Sequence, residues 1–172
     1  MADRALTGVL LVGGASRRFG SPKALALLDG ETLAARAWRV LGEACDERLA
    51  VGKTTDGLVL PFPVIDDASD IRAPITGVIA GLRAARHDRC VVLPVDCPLV
   101  PSETLRTLGE AEAIPQTGPL PGGYARSMLT VLEERLAAGE YTLRGLGQAV
   151  LEIDERLLAN VNEPADLAAL AV

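Results

Sequence analysis

Lys23 follows a doubled glycine, Gly13-Gly14, and between them stand Ser16, Arg17, Arg18 and Gly20. The whole run is Leu10-Leu11-Val12-Gly13-Gly14-Ala15-Ser16-Arg17-Arg18-Phe19-Gly20-Ser21-Pro22-Lys23, and it grows out of apolar residues of strand type. Glycines let backbone N–H groups approach a phosphate with no side chain in the way. Arginine and lysine supply the charge that phosphates need. The run therefore reads as a nucleotide-phosphate loop at the end of a strand. It is not the G-x-x-x-x-G-K-[ST] loop, because Gly20 is followed by Ser21-Pro22-Lys23, nor G-x-G-x-x-G, because its first glycines are adjacent. A plain Gly-Gly turn with surface arginines would not call for this grouping of cations.

Asp96 is the second residue with chemical promise. It directly follows the apolar run Cys90 to Val95, in the stretch Val92-Leu93-Pro94-Val95-Asp96-Cys97-Pro98. A carboxylate at the end of a buried strand caps a turn, or holds a Mg²⁺ ion that bridges phosphate oxygens. In an open α/β sheet it shares the carboxyl edge with the glycine loop, where such sheets bind ligands. A third group, Asp66, Asp67 and Asp70, follows Val64-Ile65.

Other chemistries lack their residues. The one histidine, His87, lies in the charged stretch Arg86-His87-Asp88-Arg89 and reads as a solvated helix-end residue. Ser–His–Asp and metal–histidine mechanisms would both rest on it alone. Cys45, Cys90 and Cys97 are widely spaced, with no C-x-x-C pair, so neither a disulfide framework nor a zinc site is indicated. Cys45 and Cys90 read as small buried hydrophobes.

Composition narrows the partners. The net charge is −6, from 17 basic and 23 acidic residues. Nucleic-acid binders carry a basic surplus; here the cations cluster near one loop, which suits a small anionic ligand. No apolar run has membrane-spanning length and no signal peptide is read, so the expectation is a cytoplasmic protein. With 172 residues, 49% of them hydrophobic, the chain fits one domain, residues 1–172, around an aliphatic core.

The elements that would position these residues alternate. Leu6 to Val12 reads as a strand buried on both faces. Ala24 to Leu28 reads as a short extended piece closed by Asp29-Gly30. Thr32 caps a helix to about Glu43, with Leu33, Ala37, Val40 and Leu41 on one face. Arg48 to Val51 is a strand, and Val64-Ile65 is extended. Pro74-Ile75-Thr76-Gly77 opens a helix placed at Val78 to Arg86. Cys90 to Val95 is a second buried strand, and a helix after Pro101-Ser102 turns Leu105 and Leu108 inward. Ala113 to Gly123, with three prolines and three glycines, is loop or irregular strand. Arg126 to Ala138 reads as an amphipathic helix, Leu143 to Gln148 as a short helix at best, Val150 to Ile153 as a strand. Pro164 begins a last helix to Leu170. Alternating strands and helices mean an α/β sandwich with a mainly parallel sheet.

The pattern L-x-G-G-x-S-x-R-x-G-x-x-K at Leu11 to Lys23 resembles the signature of the molybdenum cofactor guanylyltransferases, within the glycosyltransferase-A-like nucleotidyltransferases. Three further stretches look like segments of that family, in order along nearly the whole chain. Val64-Ile65-Asp66 with Pro74-Ile75-Thr76-Gly77 is similar to its base-recognising segment and G-P-L-A-G turn. Val95-Asp96-Cys97-Pro98-Leu99-Val100-Pro101 is similar to its metal-binding segment. Asn160-Val161-Asn162-Glu163-Pro164-Ala165-Asp166-Leu167 is similar to its N-x-N-T-P-x-D-L ending. The paired Gly13-Gly14, in place of Ala-Ala-Gly, favours the guanylyl branch over cytidylyl relatives. The chain departs from the pattern at Ala73, where the family turn has glycine, and in the short Gln116 to Arg126 region.

The resemblance implies a three-layer α/β/α, Rossmann-like nucleotide-diphospho-sugar transferase fold. It implies backbone N–H groups of Leu11, Val12, Gly13 and Gly14 at the guanine and phosphate end of the site. Lys23 would contact GTP phosphates with Arg17 nearby. Asp66 would bind the base or ribose region, with Asp67 its substitute one residue on. Asp96 would hold Mg²⁺, and Asn160 and Asn162 would lie near the second substrate or the metal. The implied reaction joins GMP from GTP to the phosphate of molybdopterin. Molybdoenzymes or cofactor-delivery proteins are implied as protein partners. A related enzyme using CTP or a sugar phosphate, and a non-catalytic GTP-binding cofactor carrier, are the competing readings.

Overall fold

The computed structural model describes residues 4–13 and 19–171. Its first strand, β1 (Leu6–Leu11), is buried at every position, as the continuous apolar run predicts. Residues of β1 alternate between two separate cores: Leu6 and Leu10 face one, Val9 and Leu11 the other. This is the period of two expected of a strand covered on both faces.

A hairpin of β2 (Leu27–Leu28) and β3 (Glu31–Thr32) follows, turning at Asp29 and Gly30, both at positive φ. The single extended piece expected over Ala24 to Leu28 is thus a turn of 3₁₀-helix, Lys23–Leu25, and then one arm of this hairpin. Helix α1 (Leu33–Ala44) starts where Thr32 accepts the Ala35 N–H at 3.1 Å. Next come β4 (Glu47–Gly52), β5 (Ile65–Asp66), α2 (Pro74–Ala84) and β6 (Arg89–Pro94). Helix α2 begins at Pro74, not Val78, because proline at the first helical position has its φ already set. Helix α3 (Ser102–Ala111) leads to β7 (Ala113–Pro115) and β8 (Gly122–Ala125). The region expected to be loop therefore supplies two strands, with Pro115 ending the first and Gly122 and Gly123 opening the second. Arg126–Met128 is a 3₁₀ turn, so α4 runs only over Leu129–Ala137. Residues 143–148 form no helix: Gly145 and Gly147 adopt φ of 74° and 81°, outside the helical region. The chain finishes with β9 (Ala149–Leu151) and α5 (Pro164–Leu170).

The main sheet has the order β5-β4-β1-β6-β8. Its first four strands are parallel, and β8 runs antiparallel along β6. Helices α1 and α3 cover one face, α2 and α4 the other, giving three layers. A separate parallel pair, β7 with β9, lies beyond β8. Among the described residues, no helix is long and apolar enough to cross a membrane.

Glycines set how closely the layers approach. A Cβ on Gly81 of α2 would lie 2.5 and 2.9 Å from the two methyls of Val9 and 3.2 Å from its Cβ. Val9 is fully buried and its branched side chain has one preferred rotamer, so it has no free direction to move. Gly81→Ala should therefore lower stability by about 1–3 kcal/mol despite alanine's better helix propensity. Val9→Ala in the same chain should recover part of the loss, with both read by chemical denaturation.

Candidate active site

Four parallel strands leave the sheet on one edge. Leu11-Val12-Gly13 departs from β1, Gly52-Lys53 from β4, Asp66-Asp67 from β5 and Pro94-Val95-Asp96 from β6. The ladder extends slightly past the strands, through Val12 N–H to Val51 O (3.0 Å), Val95 N–H to Leu11 O (3.0 Å) and Asp67 N–H to Gly52 O (3.0 Å). Order reverses beside β1: the chain goes to β4 on one side and later to β6 on the other. A cleft of about 430 Å³ opens at this switch point. Leu11, Val12, Gly13, Lys23, Asp67, Asp96 and Asn160 line it. A second cavity of about 730 Å³ adjoins it over Val12, Gly13 and Lys23, bounded by the loop Leu58 to Val64.

Asp96 is aimed by its neighbours. Val95 and Cys97 are buried, 5% and 3% exposed, so the residue between them is turned outward. The Cys97 N–H closes the turn onto Pro94 O at 3.2 Å, and Val161 N–H donates to Asp96 O at 2.8 Å. Lys23 reaches Asp96 from the other side, Nζ to Oδ2 3.8 Å. It is held there by the 3₁₀ turn that buries Ala24. Thus the first two chemistry-bearing stretches of the sequence meet. Gly14 and Arg17 lie outside the described residues.

The acidic pair at the end of β5 divides. Successive residues of an extended chain point to opposite sides, so only one of Asp66 and Asp67 can face the cleft. It is Asp67. Asp66, expected at the base or ribose, is turned outward and exposed, and Asp67 lines the cleft in its place. Asp66 accepts hydrogen bonds from the Thr54 hydroxyl, the Thr54 N–H at 3.2 Å and the Ala68 N–H at 2.6 Å. The Thr54 hydroxyl, followed by these N–H groups, holds its carboxyl below the usual aspartate range. Asp67 meets Lys53 Nζ at 3.0 and 2.8 Å, and the Thr76 hydroxyl lies 2.8 Å from its Oδ2. Lys53 also donates to Ser69 O at 2.6 Å. Their side chains are only 11% and 6% exposed.

Lys53 by itself carries no signal of a site role in the sequence, and Thr76 enters there only within the Pro74-Ile75-Thr76-Gly77 turn. Gly52-Lys53 does repeat the strand–glycine–cation order of the opening loop. Thr76 sits in the first turn of α2, whose N-terminus has no side-chain cap and borders the cleft. Pro74 has no N–H and the Thr76 N–H is given to Ala73 O at 3.2 Å, so it is the helix dipole there that favours anions. Arg72 and Asp56 link the two flanking loops, guanidinium to carboxylate 2.8 Å.

Burial disfavours the thiolate form of all three cysteines. Cys90 is buried and Cys45, expected to be buried, is partly exposed; burial pushes both thiols up to about 12. Burial and then the neighbouring Asp96 charge push the Cys97 thiol up as well. His87, half-buried, precedes β6 and so belongs to the opposite sheet edge. No group of three or more His, Cys, Asp or Glu side chains forms a metal-ligand cluster among the described residues. A lone outward carboxylate still suits Mg²⁺, which keeps waters and takes further oxygens from substrate phosphates.

Residues 8–150 match the family model described as a MobA-like NTP transferase domain. A molybdenum cofactor guanylyltransferase of Pseudomonas putida is 34% identical over 176 residues, covering 91% of this chain and 92% of that one. The chain belongs to the MobA-like NTP transferase family. A solved structure of molybdopterin-guanine dinucleotide biosynthesis protein A from Archaeoglobus fulgidus superposes with a TM-score of 0.76 at 26% identity, over 95% of this chain and 96% of that one. A cytidylyltransferase for 2-C-methyl-D-erythritol 4-phosphate from Thermus thermophilus shares the fold, with a TM-score of 0.68 at 17% identity over 95% and 96% of the two chains.

In this MobA-like chain the Lys53–Asp67 pair is both wall and scaffold. Removing one partner leaves the other charge nearly buried. Lys53→Met should cost about 2–4 kcal/mol in a urea melt, whereas the exposed Arg72→Met should cost at most about 1 kcal/mol. Equal losses would show that Lys53–Asp67 behaves as a surface pair.

Proposed function

We propose that the cleft transfers GMP from GTP to the terminal phosphate of molybdopterin, releasing pyrophosphate and forming a guanine dinucleotide cofactor. The observation that carries the reading is the meeting of Lys23 and Asp96 at 3.8 Å beside Gly13, in a chain whose curated relatives are molybdenum cofactor guanylyltransferases over most of its length. On this reading one cytoplasmic domain carries the reaction. The three free cysteines accord with a reducing compartment.

In the reaction a phosphate oxygen of molybdopterin bonds to the α-phosphorus of GTP, and the bond from that phosphorus to the bridging oxygen of the β-phosphate breaks. The electron pair leaves with pyrophosphate. The attacking oxygen is already anionic at neutral pH, so no general base is required. The barrier lies in bringing two anions together and aligning them. Lys23 supplies positive charge on the triphosphate. The Val12 N–H is already given to Val51 O, so of the Leu11 to Gly13 backbone it is Gly13 that comes to the cleft wall, where α2 also directs the positive end of its dipole. Asp67, held by Lys53 and Thr76, is a fixed acceptor for N–H or O–H groups of the nucleoside. Asp96 would hold Mg²⁺, which when bound neutralises phosphate oxygens.

Incubation with molybdopterin, Mg²⁺ and GTP, CTP, ATP or UTP in turn, with the product identified by mass, tests the reading. Guanine dinucleotide formation from GTP alone is expected; transfer from CTP in its place would overturn the assignment. Lys23→Ala and Asp96→Ala should each lose at least about a hundredfold in turnover while melting near the parent temperature. Near-normal transfer by Asp96→Ala would remove the metal assignment. Asp67→Asn should weaken GTP binding by about tenfold or more, and Asp66→Asn by less than about twofold, in a calorimetric titration.

A further inference from the structure

The charged side chains of the cleft are unevenly placed. Lys53 is committed to Asp67, Arg72 to Asp56, and Lys23 approaches Asp96. On the side of β6 the described lining is Pro94, Val95, Cys97, Leu120 and Asn160, with Asp96 the charged residue among them. A phosphate nucleophile arriving over that wall meets a carboxylate and one neutral polar side chain, Asn160. The orientation of the Asn160 amide then decides what the incoming anion encounters. Oδ1 facing the cleft would repel it, and Nδ2 would donate to it.

The structure contains a device that settles this orientation. The Cys97 thiol has one hydrogen and two acceptors within reach, Asn160 Oδ1 at 3.0 Å and Asp96 Oδ1 at 3.6 Å, and the shorter contact is to Asn160. Cys97 is 3% exposed and fixed within the core that also buries Val161. The Val161 N–H to Asp96 O bond, at 2.8 Å, ties the backbone of the two segments together. With Oδ1 engaged by the buried sulfur, Nδ2 is the amide atom that remains for the cleft that Asn160 lines. We propose that Cys97 is a positioning residue for the acceptor: its thiol fixes the Asn160 amide so that Nδ2 donates to the incoming phosphate beside Asp96. This inference rests on the guanylyl-transfer reading and adds to it a residue that acts through the Asn160 amide.

The test uses the full chain, with GMP transfer measured while molybdopterin and GTP are varied separately. Cys97→Ala removes the donor and should raise the KM for molybdopterin or lower kcat by about 3–10-fold, the size of one hydrogen bond, with the KM for GTP within about twofold. Cys97→Ser keeps a donor and should restore most of the loss. Cys97→Val, which fills the space without a donor, should behave as Cys97→Ala and serves in its place if alanine impairs folding. In an Asn160→Ala background, Cys97→Ala should have no further effect, since the thiol acts through that amide. Unchanged kinetics in Cys97→Ala, equal losses in Cys97→Ala and Cys97→Ser, or a matching rise in the KM for GTP would overturn the proposal while leaving the reaction standing. Failure of the unsubstituted chain to form the dinucleotide would overturn the reaction and this inference with it.

Discussion

Strands that run in the same direction must all end on the same edge of their sheet. This constraint organises the molecule. Residues far apart in the chain, Gly13, Gly52, Asp67 and Asp96, become neighbours only because β1, β4, β5 and β6 are parallel. The parallel arrangement in turn requires helices on both faces, since every parallel neighbour is reached by a crossover. Close seating of those helices depends on small residues where they cross the central strand. Gly8 on β1 meets Leu41 and Cys45 of the α1 layer, and Gly77 and Gly81 on α2 meet Leu11 and Val9. The chemistry at the edge and the glycines in the middle are therefore parts of one solution.

Within the cleft, geometry is maintained by pairing polar groups instead of leaving them loose. Asp67 engages a lysine and a threonine, and the backbone at Asp96 is held by Val161 N–H. Such pairing limits side-chain freedom before any ligand arrives, which lowers the ordering cost of binding.

Much of this was legible in the amino-acid order. Continuous apolar runs ending in Gly13 and in Asp96 announced two central strands and the edge where they finish. Thr32 and Pro164 announced helix starts through local hydrogen bonding and fixed φ. The choice between Asp66 and Asp67 was not legible. It turns on which way a two-residue strand is rotated, and its register against Gly52 is a long-range fact. Lys53 is unremarkable in the sequence for the same reason, and Thr76 stands there only as part of the Pro74-Ile75-Thr76-Gly77 turn until folding brings both to Asp67. The strand Gly122–Ala125 was obscured by glycines that are required by close contacts, with Gly122 packed on Pro119 O and Ile114. Propensity read these glycines as loop, and tertiary packing made them strand.

The chain has a single tryptophan, Trp38, on α1. Its ring stacks on Phe62 with centroids 4.3 Å apart and planes 11° from parallel, and the Arg48 guanidinium lies over it at 4.3 Å. Phe62 belongs to the loop that walls the larger cavity beside Gly13 and Lys23. Indole emission responds to ring stacking and to a nearby cation. Movement of that wall therefore carries its own optical signal, from one fluorophore with no background from a second tryptophan, and no label has to be attached.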